Sequence, residues 1–187
     1  MSTAPAVFLD RDGVLNAAVV IDGRPHPPRD AGEMRLLPGV EGACARLREA
    51  GFILVCITNQ PDIARGATTA AIVAEINGRL QRELALDAVA VCPHDDADGC
   101  ACRKPRPGLI LEAAAHLGVD LTRSVVVGDR WRDVEAGRRA GCRTVLLDRA
   151  YDEPMAIADA VAGSLDEAVP LIIALSREGA AGSPAAG

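Results

Sequence analysis

Short aliphatic segments recur along the chain, and longer amphipathic segments separate them. Each aliphatic segment is four to seven residues long and apolar almost throughout, instead of alternating between apolar and polar positions. This pattern is typical of parallel strands that helices cover on both faces. The predicted strands are Val7–Asp10, Phe52–Thr58, Ala88–Cys92, Ser124–Gly128 and Thr144–Leu147.

The amphipathic segments between these strands carry the signals of helix ends. Several begin near proline or threonine, and three are followed directly by glycine, the residue that most often terminates a helix. The alternation of strand and helix predicts an α/β fold, a Rossmann-like parallel sheet with helices on both faces. The predicted helices are Pro38–Ala50, Thr68–Leu84, Pro107–Leu117 and Trp131–Ala140.

Two irregular segments interrupt this alternation. Residues 16–30 form a Gly/Pro-rich excursion after the first strand, and residues 95–108 form the second. We expect a single domain over residues 1–177, because no internal repeat or linker divides it. Residues 178–187 are Gly, Ala, Ser and Pro almost throughout and are predicted to be a disordered tail.

The composition and net charge of the chain argue against some classes of binding partner. The 187 residues are 49% hydrophobic and 25% charged, which describes a globular protein, and the net charge of −6 argues against nucleic acid or an anionic membrane as partner. No apolar run reaches the ~18 residues of a membrane span, and no secretory signal precedes the first strand. We therefore expect a cytoplasmic monomer whose six cysteines are reduced and whose partner is a small molecule.

Polar side chains of catalytic type follow the predicted strands. In open α/β sheets the ligand crevice lies at the carboxyl ends of the strands, so these residues are predicted to meet at one edge of the sheet. They are Asp10, Asp12, Thr58, Asn59, Gln60, Asp129 and Arg130.

Carboxylates dominate this predicted edge. Asp10 and Asp12 are spaced for two different roles, in which one carboxylate is a nucleophile or metal ligand and the other is a general acid and base. Asp129 would complete an oxygen-ligand set for Mg²⁺. The alternative for Asp10 and Asp12 is that they only cap the following segment. Asp133 fits the metal site and an N-terminal helix position equally well.

Lys104 is the single lysine among twenty basic residues, the others being arginine. Because this chain uses arginine wherever a cation suffices, a retained lysine indicates a position that needs a compact ammonium. A lysine close to Asp10 would keep that carboxylate ionised and would screen its repulsion of an incoming phosphate.

The segment before Lys104 supplies four soft metal ligands within eleven residues: Cys92, His94, Cys100 and Cys102. Three thiolates and one imidazole make a closed tetrahedral set, which predicts a structural zinc site that braces the loop ending at Lys104. A disulfide, or buried thiols beside an unrelated histidine, are the alternatives.

These motifs together resemble the haloacid dehalogenase superfamily of phosphohydrolases over roughly residues 6–150. Phe8-Leu-Asp-Arg-Asp-Gly-Val-Leu-Asn16 is similar to the first motif of that superfamily. Thr58 is similar to the second motif, Lys104 to the third, and Gly128-Asp129 with Asp133 to the fourth. The intervals between motifs leave no room for a large cap domain, so the resemblance implies an uncapped member.

The resemblance also implies roles for the residues. Asp10 would attack phosphorus to form an aspartyl-phosphate, and Asp12 would protonate the leaving alcohol and then activate water. Thr58 and Lys104 would hold the phosphoryl oxygens. Mg²⁺ would be bound by Asp10, Asp129 and the backbone carbonyl of Asp12.

Within the superfamily, the zinc loop and the segment that begins at Asn59 resemble those of the heptose bisphosphate 7-phosphatases. That resemblance implies a Mg²⁺-dependent phosphomonoesterase acting on a phosphorylated sugar, with Asn59, Arg103 and Arg130 binding substrate. Pro61-Asp62 replaces the usual Ser-Gly pair, and the 16–30 flap, which contains His26, lacks the usual aromatic residue. A histidinol-phosphate or other small sugar-phosphate phosphatase is the alternative, and a non-catalytic phosphosugar-binding protein is the alternative from another class.

Overall fold

The computed structural model describes residues 3–21, 24–149, 154 and 156–181. The strands within these residues are β1 Ala6–Leu9, β2 Val19–Ile21, β3 Arg24–His26, β4 Ile53–Asn59, β5 Ala88–Cys92, β6 Val125–Gly128, β7 Arg143–Leu147 and β8 Ala160–Ala162. Six of them form one parallel sheet in the order β5-β4-β1-β6-β7-β8, and β2 and β3 form a separate antiparallel pair. The helices are α1 Val40–Glu49, α2 Ala70–Leu84, α3 Gly108–Leu117, α4 Trp131–Ala140 and α5 Leu165–Ala181.

Strand β1 lies at the centre of the sheet, where the strand order reverses. It pairs with β4 on one side and with β6 on the other, so that Leu9 lies opposite both Cys56 and Val127. The backbone N–H of Asp10 continues the ladder by donating to Val127 at 2.9 Å. The carboxyl ends of β1, β4 and β6 therefore lie side by side, at the topological switch point where α/β sheets bind ligands.

Helices cover both faces of the sheet, and alternate residues of each strand pack against opposite layers. Val7 and Leu9 of β1 face the layer of α1, α2 and α5. Ala6 and Phe8 face the layer of α3 and α4. The prediction of an α/β sheet buried on both faces is confirmed.

Besides the β2–β3 pair, the sequence pattern missed the last two elements of the chain and placed one boundary wrongly. Strand β8 and helix α5 were not predicted, and α5 continues to Ala181, so residues 178–181 are helical and are not part of a disordered tail. A Cβ at Gly179 would lie 2.2 Å from the carbonyl oxygen of Thr122, so tertiary packing holds a segment whose composition alone favours disorder. Residues 182–187, the rest of the predicted tail, lie outside the described residues.

The flap predicted at residues 16–30 contains the β2–β3 pair, a small antiparallel addition beyond the carboxyl end of β1. Across the described ranges, no helix combines the length and apolarity that a membrane crossing requires.

Candidate active site

The ammonium of Lys104 lies at the centre of the site, at the edge of the sheet that the sequence predicted. Its Nζ is 2.7 Å from Asp10 Oδ1 and 2.7 Å from Asp133 Oδ1, and it donates to the carbonyl oxygen of Ile57 at 2.9 Å. An ammonium has three N–H groups, so these three acceptors match its capacity. The lysine side chain is only 3% exposed, and the two carboxylates beside it are also nearly buried.

Burial and charge act in opposite directions on this group of residues. The pKa of Asp10 is raised to about 6, because the loss of water, together with the like charge of Asp133, outweighs the lowering effect of Lys104. Burial alone would lower the pKa of Lys104, but Asp10 and Asp133 together raise it above its ordinary value. The lysine is therefore a permanent cation, and further positive charge near Asp10 would favour its ionised form.

Three carboxylates form a cluster that fits a divalent cation. Asp10, Asp129 and Asp133 each offer an oxygen, and these oxygens lie within 4.8 Å of one another. Mg²⁺ binds through a few carboxylates with water and substrate phosphate filling the remaining positions, so this donor set suits it. The side chain of Asp12 is not in this cluster, and binding of the metal by its backbone carbonyl stays a prediction.

Asp133 has two further contacts that the sequence left open. Its Oδ1 pairs with Lys104, while its Oδ2 accepts a hydrogen bond of 3.1 Å from the backbone N–H of Arg130, at the beginning of α4. A carboxylate in the first turn of a helix also complements the helix dipole. Asp133 therefore caps α4 and fixes the lysine at the same time.

Gly128 makes this close approach possible. A Cβ at that position would lie 2.1 Å from Cβ of Asp133, which no side-chain rearrangement relieves. The absence of a side chain lets the first turn of α4 pack directly against the end of β6.

A second network surrounds the Asp12 carboxylate. Arg11 donates to it through Nε at 3.2 Å and through Nη2 at 2.9 Å, Asn16 Nδ2 donates at 2.9 Å, and Gln60 Nε2 donates at 3.0 Å. The guanidinium of Arg11 also donates through Nη1 to Oδ1 of Asn77 in α2 at 2.9 Å.

The sequence assigned no role to Arg11 or Asn77, and it placed Asn16 in the first motif and Gln60 at the catalytic edge without indicating that both contact Asp12. The available signal was Asn77, a polar residue on the apolar face of α2, where the neighbouring inward positions are Val, Ile and Leu. A buried amide at such a position needs a partner, and here the partner is Arg11.

The predicted residues at the end of β4 contact the rest of the site. Thr58 is buried and its Oγ1 accepts a hydrogen bond of 2.9 Å from Gln60. Asn59, predicted to bind substrate, forms a reciprocal pair with the backbone of Lys104: its Nδ2 donates to the Lys104 carbonyl, and its Oδ1 accepts from the Lys104 N–H, both at 3.1 Å. Asn59 therefore positions the lysine backbone.

The four predicted zinc ligands converge. The Sγ atoms of Cys102 and Cys92 are 3.2 Å apart, Cys102 and Cys100 are 3.5 Å apart, and His94 Nδ1 lies 3.3 Å from Cys102 Sγ. All three cysteines are free thiols, and their sulfur atoms are no closer than 3.2 Å, beyond the roughly 2.05 Å of a disulfide bond. Zinc–sulfur bonds of about 2.3 Å in a tetrahedron require sulfurs somewhat less than 4 Å apart, so the cluster has the dimensions of a structural zinc site.

Arg103, predicted to bind substrate, is engaged inside the zinc loop. It is 6% exposed and donates to Asp96 at 2.7 and 3.3 Å and to the carbonyl of His94 at 3.3 Å. The side chain of Asp96 is 66% exposed, so this ion pair borders solvent on one side. Arg130 is half-buried at the beginning of α4.

A cavity of about 700 Å³ opens beside this network. It lies between the end of the flap, with His26, and the segment that leads into α2, with Asp62. Gln60 lines the cavity and also donates a hydrogen bond to Asp12, so one residue connects the cavity wall to the predicted acid–base residue. Asn59, Arg103 and Arg130, which the resemblance implied to bind substrate, are not among the described residues that line it.

Known proteins resemble this chain over most of its length. A HAD-hydrolase-like family model matches residues 101–168. The D-glycero-beta-D-manno-heptose-1,7-bisphosphate 7-phosphatase of Bordetella bronchiseptica is 41% identical over 149 residues, which are 75% of this chain and 79% of that protein. The protein of the same name from Yersinia pestis is 36% identical over 159 residues, covering 79% of this chain and 81% of its own.

Solved structures agree with this result. The crystal structure of the D,D-heptose 1,7-bisphosphate phosphatase from B. bronchiseptica, complexed with magnesium and phosphate, superimposes with a TM-score of 0.76 at 33% identity and covers 91% of this chain and 98% of its own. A putative HAD-like phosphatase from Mesorhizobium loti superimposes with a TM-score of 0.74, also at 33% identity, and covers 96% of this chain and 88% of its own.

Proposed function

Because this chain belongs to the D-glycero-D-manno-heptose-1,7-bisphosphate 7-phosphatase family of HAD-like hydrolases, we propose that it is a Mg²⁺-dependent phosphomonoesterase that removes the 7-phosphate of that sugar. The observation that carries the proposal is that Asp10 contacts the Lys104 ammonium and lies close to the Asp129 carboxylate, at the switch point of the sheet. A nucleophile, a fixed cation and a set of metal ligands are thus in one place.

The proposed reaction has two displacements at phosphorus. In the first, a carboxylate oxygen of Asp10 bonds to phosphorus while the bond from phosphorus to the sugar oxygen breaks, and Asp12 gives its proton to that oxygen. In the second, Asp12 takes a proton from water, the water oxygen bonds to phosphorus, and the aspartyl-phosphate bond breaks. Inorganic phosphate leaves, and both aspartates return to their initial states.

Phosphoryl transfer depends on cations that neutralise the equatorial oxygens, and the site offers them from two directions. Lys104 supplies one charge and the Thr58 hydroxyl a neutral hydrogen bond. Asp10, Asp129 and the Asp12 carbonyl would hold Mg²⁺, which would supply further positive charge to the phosphoryl group.

A panel of phosphate esters tests the substrate. We expect the α and β anomers of heptose 1,7-bisphosphate to release phosphate with a higher kcat/KM than hexose bisphosphates or histidinol phosphate. The matched comparison is heptose 1-phosphate, which lacks the phosphate to be removed. Comparable kcat/KM values across the panel would contradict the heptose assignment while preserving the phosphatase activity.

Histidinol phosphate belongs in the panel because of one observation. The carboxylates of Glu33 and Asp62 both line the cavity, and a substrate amine would interact favourably with them. Glu33 is paired with Arg29, however, and Asp62 lies 3.4 Å from Arg65, so both charges are already partly compensated. A sugar phosphate remains the better fit.

We propose that zinc, bound by the Cys92, His94, Cys100 and Cys102 cluster, is structural. Support comes from the closed set of four ligands and from Gly108, where a Cβ would lie 2.5 Å from the Ala101 carbonyl oxygen. Helix α3 therefore begins directly against the loop, so the loop conformation affects both α3 and Lys104. The proposal that the chain works in a reducing cytoplasm rests on its six free thiols, and a monomeric state stays a prediction.

Zinc removal is expected to slow turnover and lower the thermal midpoint, because Lys104 follows the loop directly. We expect Cys100→Ser to contain less than one zinc per chain by elemental analysis and to lose at least about tenfold in kcat, the range of a displaced supporting residue. Cys142→Ala, a cysteine buried outside the loop, is the matched control. Full activity and an unchanged midpoint in a zinc-free Cys100→Ser protein would contradict the structural role.

A further inference from the structure

Arg11 is a buried cation that the proposed chemistry does not use. Its side chain is completely inaccessible, yet its guanidinium is directed at Asp12, the residue next in sequence. Burying a guanidinium is costly unless its donors are satisfied, and here they are directed to a carboxylate and an amide instead of to core carbonyls. A charge placed in this way indicates a role at Asp12.

The contacts of Arg11 restrict the Asp12 carboxylate on several sides. The fork of Nε and Nη2 approaches Oδ2 at 3.2 and 2.9 Å, and Nε also reaches Oδ1 at 3.3 Å. Asn16 donates to Oδ1 and Gln60 to Oδ2. A carboxylate with donors on both oxygens has one preferred orientation, since rotation about its Cβ–Cγ bond breaks several of these hydrogen bonds.

The far end of the guanidinium is fixed as well. Nη1 donates to Asn77 Oδ1 at 2.9 Å, and Asn77 is itself only 6% exposed in the packed helix α2. The chain α2–Asn77–Arg11–Asp12 therefore connects a packed helix to a carboxylate whose side chain is 17% exposed. That carboxylate also accepts a hydrogen bond from Gln60, which lines the cavity.

We propose that Arg11, held from behind by Asn77, is a positioning residue that keeps the Asp12 carboxyl group oriented both to give its proton to the leaving oxygen and, once ionised, to take a proton from the attacking water. The inference rests on the proposed role of Asp12 as acid and base. Arg11 touches neither substrate nor metal in this scheme, and it acts only through the orientation of Asp12.

This role has a consequence that depends on the leaving group. A sugar oxygen leaves as a strongly basic alkoxide unless it is protonated, so hydrolysis of a sugar phosphate needs a well-placed acid. p-Nitrophenolate leaves without a proton. Misorienting Asp12 should therefore slow the first displacement for a sugar phosphate much more than for p-nitrophenyl phosphate.

The test compares kcat/KM for both esters in Arg11→Lys, Asn77→Ala and, as a matched control, Arg139→Lys, an exposed arginine paired with Glu135. We expect kcat/KM for the best sugar phosphate to fall about 100-fold in Arg11→Lys and about tenfold in Asn77→Ala, against about threefold or less for p-nitrophenyl phosphate. Because Asp12 also activates water, we expect an initial burst of p-nitrophenolate in Arg11→Lys. The control should match the wild type.

Two outcomes would overturn the inference. Equal losses of kcat/KM on both esters would mean that Arg11 only supports folding. An unchanged ratio of the two kcat/KM values in Asn77→Ala would contradict the connection from α2. Asn77→Ala also decides the matter if Arg11→Lys fails to fold, because it removes no residue that contacts Asp12. A different result would overturn the proposed function, and the inference with it: Asp10→Asn hydrolyses both esters as fast as the wild-type enzyme does.

Discussion

Asp10→Asn is expected to abolish phosphate release while leaving the fold intact. The amide has nearly the same shape as the carboxylate and can still accept the hydrogen bond from Lys104, but it is too weak a nucleophile to form the acyl phosphate. We expect kcat to fall by at least about 10⁴-fold, as for removal of a covalent nucleophile in other enzymes. The measurement is steady-state release of inorganic phosphate from the best sugar phosphate of the panel.

Two comparisons make the Asp10→Asn result specific. Glu112→Gln makes the same chemical change at an exposed position of α3 and should retain wild-type kcat. Asp12→Asn should still form a phosphoenzyme from p-nitrophenyl phosphate, whereas Asp10→Asn should form none in an acid-quench trap. A labelled phosphoenzyme in Asp10→Asn would mean that another residue is the nucleophile.

The sequence predicted this edge of the sheet well because its determinants are local. A short run of apolar residues such as Ala6–Leu9, in a chain where strand and helix patterns alternate, is typical of a central parallel strand. The polar residues that follow such a strand are expected at the switch point. The zinc ligands are likewise close in sequence. Residues whose location follows from the sequence directly around them were therefore predictable to within a few positions.

The missed features depend on contacts between distant segments. Asn77 meets Arg11 across 66 positions of the chain, and only the packing of α2 on the sheet brings them together. The two contacts of Asp133 require the close approach that Gly128 permits. The end of α5 packs at Gly179 against the carbonyl of Thr122, whereas its Gly- and Ala-rich sequence suggests a tail. In each case a contact between residues far apart in the sequence decides a feature that the local sequence pattern does not predict.

A loop, the end of a strand and a helix all contribute to the position of Lys104. The zinc loop leads directly into it, Asn59 pairs with its backbone at the end of β4, and Asp133 contacts its ammonium from α4. Arg65, from the segment after β4, also pairs with Asp95 of the zinc loop at 2.7 Å. Loop, strand and helix thus restrict the lysine independently, which is the preorganisation that electrostatic catalysis requires.

Lys104→Arg is therefore expected to be nearly as damaging as loss of the nucleophile, although the charge is kept. The pocket presents three acceptors, at 2.7, 2.7 and 2.9 Å, to an ammonium with three donors. A guanidinium has five N–H groups in a plane and more volume, so it leaves donors unsatisfied and must displace Asp10 or Asp133. We expect kcat to fall about 10³-fold and the free energy of unfolding to fall by about 1–3 kcal/mol from overpacking.

Lys104→Met separates charge from shape in this experiment. It fits the slot but leaves Asp10 and Asp133 close together with no cation between them, so we expect a similar loss of kcat without the overpacking. If shape is the problem in Lys104→Arg, raising Mg²⁺ should not restore its turnover, because the added charge does not return Asp10 to its place. A Lys104→Arg enzyme with wild-type kcat would show that any cation suffices here, and the single lysine of this chain would then have no catalytic explanation.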